Sequence, residues 1–182
     1  MRRFTREGSP RSHMKESTQL KYAIVETRIG YIAMLGSEAG LRSICIYPSS
    51  KKAIRDIKHR FPESIMAHSD FEDLADRLKR YARGENVSFD EKFDIADATS
   101  FQRDVWMATR SIPRGETRSY SWVARMIGRP RAARAVGQAL NGNLLPIVVP
   151  CHRVIGKSGS LTGFSGGIDL KRRLLDMESS SP

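Results

Sequence analysis

Apolar residues in the first third of the chain gather in short β-rich runs between short turns, and then change to the spacing of helices. Residues 20–27 read as a strand, Leu20-Lys-Tyr-Ala-Ile-Val-Glu-Thr27, followed by a short turn at Arg28 and Ile29. Gly30-Tyr-Ile-Ala-Met-Leu35 reads as a second strand, Gly36-Ser-Glu-Ala-Gly40 as a turn, and residues 41–47 as a third strand. Short β-rich runs joined by short turns predict an antiparallel meander. Cys45 lies between Ile44 and Ile46 in the third run, which predicts a buried, inert thiol. Helical spacing follows. Ile54, Ile57 and Phe61 mark one helix over residues 51–61, and Phe71, Leu74, Ala75, Leu78 and Tyr81 mark another over residues 71–81. Gly84 breaks the second, and Val87 and Phe89 suggest a short extended piece. No cluster of polar residues suggests chemistry in this first unit, so its expected job is structural support.

Residues 91–99 read as a linker. Ser100 is the expected N-cap of a helix bearing Phe101, Val105, Trp106 and Ala108, which Pro113-Arg-Gly115 ends. Ser119 or Ser121 caps a short helix over residues 120–127, and Gly128 stops it. Pro130 then opens a further helix to about Asn141, because a proline's missing N–H has no partner in a first turn anyway. The pair makes a helix-turn-helix pattern. Ala132, Val136, Ala139 and Leu140 share the inward face of the second helix. Arg134, Gln138 and Asn141 lie opposite, with Ala133 and Gly137 beside them. Small side chains around one arginine let a backbone approach a nucleic-acid groove. The alternative is a solvated arginine on an ordinary alanine-rich helix.

Length and composition fit this picture. A chain of 182 residues makes one large domain or two small ones and can bury a real core. With 40% apolar and 28% charged residues it is of globular composition. No apolar run approaches the ~20 residues of a membrane-spanning helix. The N-terminus lacks the apolar core of a secretory signal. Gly8-Ser-Pro-Arg-Ser-His-Met14 resembles the remnant of an expression tag, so residues 1–14 are set aside and residues 1–19 are expected to be a disordered leader. Two cysteines, Cys45 and Cys151, without signs of secretion point to reduced thiols in a cytoplasmic or nuclear protein.

Net charge is +11, and its placement matters more than its size. Residues 1–19 carry five basic groups against two acidic, residues 20–100 thirteen of each, and residues 101–182 thirteen basic against five acidic. In that last stretch arginines outnumber lysines eleven to two. A planar, multi-donor guanidinium suits phosphate, so the second half becomes the candidate for an anionic partner such as nucleic acid.

Within this basic half, Cys151 follows Pro150 and directly precedes His152. A free thiol with a pKa of ~8.5 is mostly protonated at neutral pH, and a neighbouring histidine and positive surroundings favour the thiolate. Gly156-Lys-Ser-Gly-Ser-Leu-Thr-Gly-Phe-Ser-Gly-Gly167 follows, a loop with five glycines that can bring backbone polar groups close to a flat ligand. A last helix is expected over residues 168–178, and Glu178 near its end is a carboxylate able to orient a histidine.

These residues resemble the O6-alkylguanine-DNA alkyltransferase family, also called methylated-DNA–protein-cysteine methyltransferases. Pro150-Cys-His-Arg-Val154 is the family signature. Phe101-Gln-x-x-Val-Trp106, Ile112-Pro-x-Gly-Glu-Thr117, Ser119-Tyr120, Ala132-Ala-Arg-Ala-Val-Gly137, Asn141-Gly-Asn143, Gly163-Phe164 and Gly166-Gly-Ile-x-x-Lys171 stand in the family order. The match covers residues 96–178, and the first unit fits the family's variable module in outline.

The resemblance implies an α+β fold: a small ribonuclease-H-like α/β domain over residues 20–95, and a mostly helical, winged-helix-like domain with a helix-turn-helix over residues 96–182. It implies Cys151 as alkyl acceptor, His152 as its base through a water, and Glu178 as orienter of His152. Asn143 would tie the recognition helix to the active-site turn, and Tyr120 would protonate the leaving guanine. Arg134 would fill the gap of a flipped base, with Ala133, Ala135 and Gly137 along the minor groove. The main-chain groups of Cys151, Val154 and Ser165 would read the guanine edge, and Leu140 and the loop Gly163-Phe164-Ser165-Gly166 would line the substrate pocket. Arg129, Arg131 and Lys157 are candidate phosphate contacts. The implied partner is double-stranded DNA carrying O6-alkylguanine, met by a monomer without membrane or cofactor. No metal is expected, because Cys45, His59 and His68 lack the spacing of a zinc site. Phe164 stands where many members have tyrosine, which keeps an aromatic wall and removes a hydroxyl. Two other readings are a lesion-binding regulator with a structural Cys151 and a Cys-His hydrolase with multiple turnovers.

Overall fold

The computed structural model describes residues 19–179. The leader set aside above lies, through residue 18, outside the described residues. The meander forms as the short β-rich runs predict: β1 (Lys21–Thr27), β2 (Gly30–Ser37) and β3 (Gly40–Tyr47) pair antiparallel in sequence. Tyr22, Ala33 and Leu35 on one face pack against Ala53 and Ile57 of α1 (Ser50–Arg60). Ala23, Val25, Ile32 and Met34 on the other face meet Leu74 and Leu78 of α2 (Glu72–Ala82). That second cluster continues into Val105, Trp106, Val136 and Leu174, so one apolar core runs through both halves of the molecule.

One strand had no signal in the apolar pattern. β4 (Ile65–Met66) adds to β1 in parallel through backbone hydrogen bonds alone, with both side chains largely exposed. Conversely, Val87 and Phe89 lie in irregular chain rather than an extended strand, although both pack on the core. The segment read as a linker is fastened along the sheet. Phe93 bridges Leu41 in parallel, and Arg42 pairs with Asp94 at 3.2 Å and Asp97 at 2.6 Å.

The second half is helical: α3 (Ser100–Arg110), α4 (Tyr120–Met126), α5 (Ala133–Asn141) and α6 (Ile168–Ser179). Its only sheet among the described residues is the parallel pair β5 (Arg118–Ser119) and β6 (Val154–Ile155). The N-cap of α3 is Thr99, not Ser100. Its hydroxyl accepts from Gln102 N–H, and the Gln102 side chain accepts from Thr99 N–H, a reciprocal box that satisfies two otherwise unpaired donors. Ser119 caps α4 as expected. Gly128 stops α4 in the left-handed region at φ 70°, where a Cβ would be strained. Pro130 does not open α5. It sits in a turn closed by Ala132 N–H to the Arg129 carbonyl, and the helix starts at Ala133. Trp106 is buried and donates from Nε1 to the Ala139 carbonyl at 3.0 Å, which fixes α3 against α5.

Candidate active site

The candidate nucleophile sits on irregular backbone. Cys151 begins a single 3-10 turn, Cys151–Arg153, directly after a tight segment that follows α5. Asn143 organises that segment. Its Oδ1 accepts from Leu145 N–H at 3.0 Å, and its Nδ2 donates to the Val149 carbonyl at 3.0 Å and to Cys151 Sγ at 3.1 Å. Ile147 within the segment has φ 75°, a conformation that costs a β-branched residue roughly 1–3 kcal/mol. The surrounding hydrogen bonds hold it there.

His152 and Glu178 are buried beside the cysteine turn. His152 Nε2 lies 2.8 Å from Glu178 Oε1, and both side chains have no exposed surface. Arg153 clamps the same carboxylate, Nε to Oε2 at 2.8 Å and Nη2 to Oε1 at 2.9 Å, and also donates to the Ile112 carbonyl at 2.6 Å. Tyr81 from α2 donates its hydroxyl to Glu178 Oε1 at 2.6 Å and stands 3.3 Å from His152 Nε2. With Nε2 turned to the carboxylate, His152 Nδ1 is the ring nitrogen left without a protein partner.

The electrostatics follow from this burial. Desolvation pushes the Cys151 thiol up, opposed by the Asn143 N–H and the charge of Lys171. Desolvation likewise pushes His152 down and outweighs the pull of Glu178, so the imidazole is neutral at pH 7. Burial also opposes ionisation of Glu178, yet hydrogen bonds from His152, Arg153 and Tyr81 hold its carboxyl well below the usual carboxylate range. The arrangement is an ionised carboxylate, a neutral imidazole and a protonated thiol, with hydrogen bonds already in place for the charged states that follow proton transfer.

The remaining predicted residues divide into three groups. Tyr120 reaches the glycine-rich loop, its hydroxyl donating to the Thr162 carbonyl at 2.8 Å. Gly163 at φ 66° would place a Cβ 3.3 Å from that hydroxyl. Phe164, Ser165 and Gly166 line a cavity that they share with Asn143. Leu140 and Val154 are in the core instead, 3% and 0% exposed, and the Val154 carbonyl accepts from Lys171. On α5, Arg134 is exposed, whereas Ala133, Ala135 and Gly137 are half-buried because that flank leans on neighbouring elements, among them the Tyr120 ring beside Gly137. Among the described residues no group of three or more His, Cys, Asp or Glu side chains could hold a metal ion.

Three participants went unread as parts of the site. Tyr81 has the helical spacing of a core residue, and only its hydroxyl, which no periodicity reports, differs from phenylalanine. The first domain therefore does more than support: it supplies a buried donor to the carboxylate. Arg153 was read only as a source of positive potential for the thiol, not as the clamp on Glu178. Lys171, fully buried, ties the loop to β6 through the Thr162 and Val154 carbonyls at 3.2 and 2.6 Å. Cys45 departs from expectation too, being half-buried with Sγ 3.6 Å from Ser43 Oγ.

A buried thiol held by an amide, beside a buried imidazole–carboxylate pair and next to a basic helical face, defines a class of protein with a candidate reactive cysteine. Residues 20–95 match the 6-O-methylguanine DNA methyltransferase ribonuclease-like domain, and residues 100–180 match the DNA binding domain of the same proteins. The chain belongs to the 6-O-methylguanine DNA methyltransferase family. It is 44% identical over 160 residues to a methylated-DNA--protein-cysteine methyltransferase of Methanosarcina acetivorans, covering 87% of this chain and 98% of the relative. It is 41% identical over 161 residues to one of Mycobacterium tuberculosis, covering 88% and 93%. The crystal structure of the M. tuberculosis O6-methylguanine methyltransferase superposes with a TM-score of 0.76 at 39% identity, covering 90% and 96%. A structure of the M. tuberculosis protein in complex with DNA superposes at 0.74, covering 87% and 92%.

Proposed function

We propose that this chain repairs DNA by direct reversal, moving the alkyl group of O6-alkylguanine to Cys151 once per molecule, with O4-alkylthymine a candidate second substrate. Residues 20–95 act as the N-terminal domain and residues 96–182 as the DNA-binding alkyltransferase domain, working as a monomer in the cytoplasm or nucleus. The observation that carries the reading is the burial, side by side, of two hydrogen-bonded pairs, Asn143 with Cys151 and His152 with Glu178.

In the reaction the thiol proton passes through a water to His152 Nδ1, while Glu178 stabilises the imidazolium. Sγ bonds to the alkyl carbon as the carbon–O6 bond breaks with its electron pair on guanine. Tyr120 gives the departing base a proton and is reprotonated from solvent. The thioether is stable, so the protein does not turn over.

Reaching O6 requires the base to leave the stack. Helices α4 and α5 serve as the helix-turn-helix, with exposed Arg134 filling the gap and Ala133, Ala135 and Gly137 against the minor groove. The DNA complex of the M. tuberculosis relative supports DNA as the partner. Leu140 and Val154 act from behind the pocket wall that Phe164, Ser165 and Gly166 form.

Intact mass after incubation with O6-methylguanine duplex tests the proposal. A single gain of about 14 Da on Cys151, absent in Cys151→Ala, is expected for a methyl group replacing the thiol proton. DNA binding without uptake would leave only a lesion-binding role, and repeated turnover of an ester or peptide would indicate a hydrolase.

A further inference from the structure

The cavity beside Asn143 does not end in the C-terminal domain. Its volume is about 300 Å³, and on the N-terminal side it is walled by Ile46 and Tyr47 of β3 and by Arg60 at the end of α1. Asn143 lines the cavity and also donates to Cys151 Sγ, so this one side chain links the space to the acceptor sulfur. The two walls are fixed to one another. Ile44 N–H of β3 donates to the Leu144 carbonyl at 2.8 Å, next to Asn143.

Much of the lining is apolar, with Pro146, Phe164 and Leu170 completing it, and Arg60 is its one cation. Among the described residues Arg60 makes no ion pair, and its guanidinium lies over the Phe61 ring at 5.3 Å. Asp56, one turn earlier, pairs with Arg55 at 3.7 Å. Tyr47 remains a neutral phenol, pushed up to about 12 by burial and by Cys45. A second cavity of about 310 Å³ in the N-terminal domain differs, because Glu38, Asp70, Asp73 and Glu91 line it beside Lys21, Arg77 and Lys92. There Lys21 meets Asp70 and Arg77 meets Asp73, each at 2.6 Å.

Apolar walls linked to the acceptor sulfur through Asn143, with one unmatched guanidinium, fit an alkyl chain that ends in a carboxylate. We propose that this inter-domain cavity is a subsite for the transferred group and that Arg60 selects O6-alkylguanines bearing a terminal carboxylate. The inference rests on the alkyl-transfer reading. Sγ bonds to the first carbon of the chain, the carbon–O6 bond breaks, and the carboxylate end passes through unchanged beside Arg60. Arg60 is exposed to water, so the selection is modest, about fivefold, and salt weakens it.

Single-turnover alkylation of the full chain tests this with duplexes carrying O6-carboxybutylguanine or its uncharged isostere, O6-carbamoylbutylguanine. Each rate is divided by the same variant's rate on O6-methylguanine duplex. The native protein is expected to favour the carboxylate about fivefold, less at high salt. Arg60→Ala should bring the two rates together, Arg60→Glu should invert the preference, and Arg60→Lys should retain part of it. Equal rates in the native protein, or a preference that survives Arg60→Glu, would overturn the subsite. Absence of transfer from O6-methylguanine duplex as well would overturn the alkyl-transfer reading and the subsite with it, a result distinct from methyl transfer without carboxylate preference.

Discussion

The two domains solve opposite problems. The N-terminal domain balances its charges, thirteen acidic against thirteen basic over residues 20–100, and builds long, regular ladders covered on both faces. The C-terminal domain carries a surplus of arginine and places its candidate chemistry on short turns, a strained Ile147 and a loop rich in glycine. Regular structure spends its backbone polar groups on itself. Irregular structure leaves them to be satisfied by side chains such as Asn143, Arg153 and Lys171, which puts polar groups where a nucleophile needs them. The division is incomplete, because Tyr81 and Arg60 extend the regular domain into the site.

Ways to break that comparison can be ranked by size. Arg153→Ala removes both guanidinium contacts from a carboxylate with no exposed surface. Leaving such a charge underpaired is expected to cost about 3 kcal/mol in denaturant unfolding. A loss below about 1 kcal/mol would mean that Glu178 relaxes into solvent. Arg134→Ala concerns the basic face alone. Repair of duplex should fall about 100-fold, the scale of a few kcal/mol for extruding a base, with little change in reaction with free O6-benzylguanine. Equal losses on both substrates would remove Arg134 from base flipping.

Tyr81→Phe probes the crossing between domains. Losing a buried hydrogen bond to a charged acceptor should cost about 2 kcal/mol of stability and slow alkylation roughly tenfold. Unchanged alkylation would return α2 to a purely supporting role. Acid offers a related measurement. The folded pKa values of His152 and Glu178 are both depressed below the ordinary 6.5 and 4.5. The unfolded chain then takes up these protons first as pH falls, so their contribution is complete above 6.5 and declines below it. The melting temperature should drop between pH 7 and pH 4, and below 4.5 Glu178→Gln should flatten the slope. The smallest effect separates the surfaces: Arg129→Ala should lower the salt slope of DNA binding by about 1, while Arg80→Ala should leave it unchanged.

Much of this was legible in residue order. Short β-rich runs between turns located the three long strands, and the spacing of Leu74, Leu78 and Tyr81 located the face of α2. Ser119 and Gly128 marked the ends of α4, because caps and left-handed stops depend on neighbouring residues only. Local signals misled where two residues competed for one task. Thr99 took the cap expected of Ser100 because Gln102 could answer it reciprocally. Pro130 stayed in the turn because Arg129 and Ala132 close it. β4 was invisible because its pairing is made by backbone alone.

The sequence by itself determined the meander, most helix faces, the placement of charge and the residues brought together at Cys151, His152, Asn143 and Glu178. Tertiary structure decided what long-range docking controls. It alone brings the Tyr81 hydroxyl to a carboxylate 97 residues away, leaves Arg60 unmatched over a cavity that Asn143 also lines, and buries Leu140 and Val154 behind the pocket. Periodicity records which face of an element avoids water. It carries no information about which polar atom meets which across a shared core, because those contacts exist only after the elements have packed.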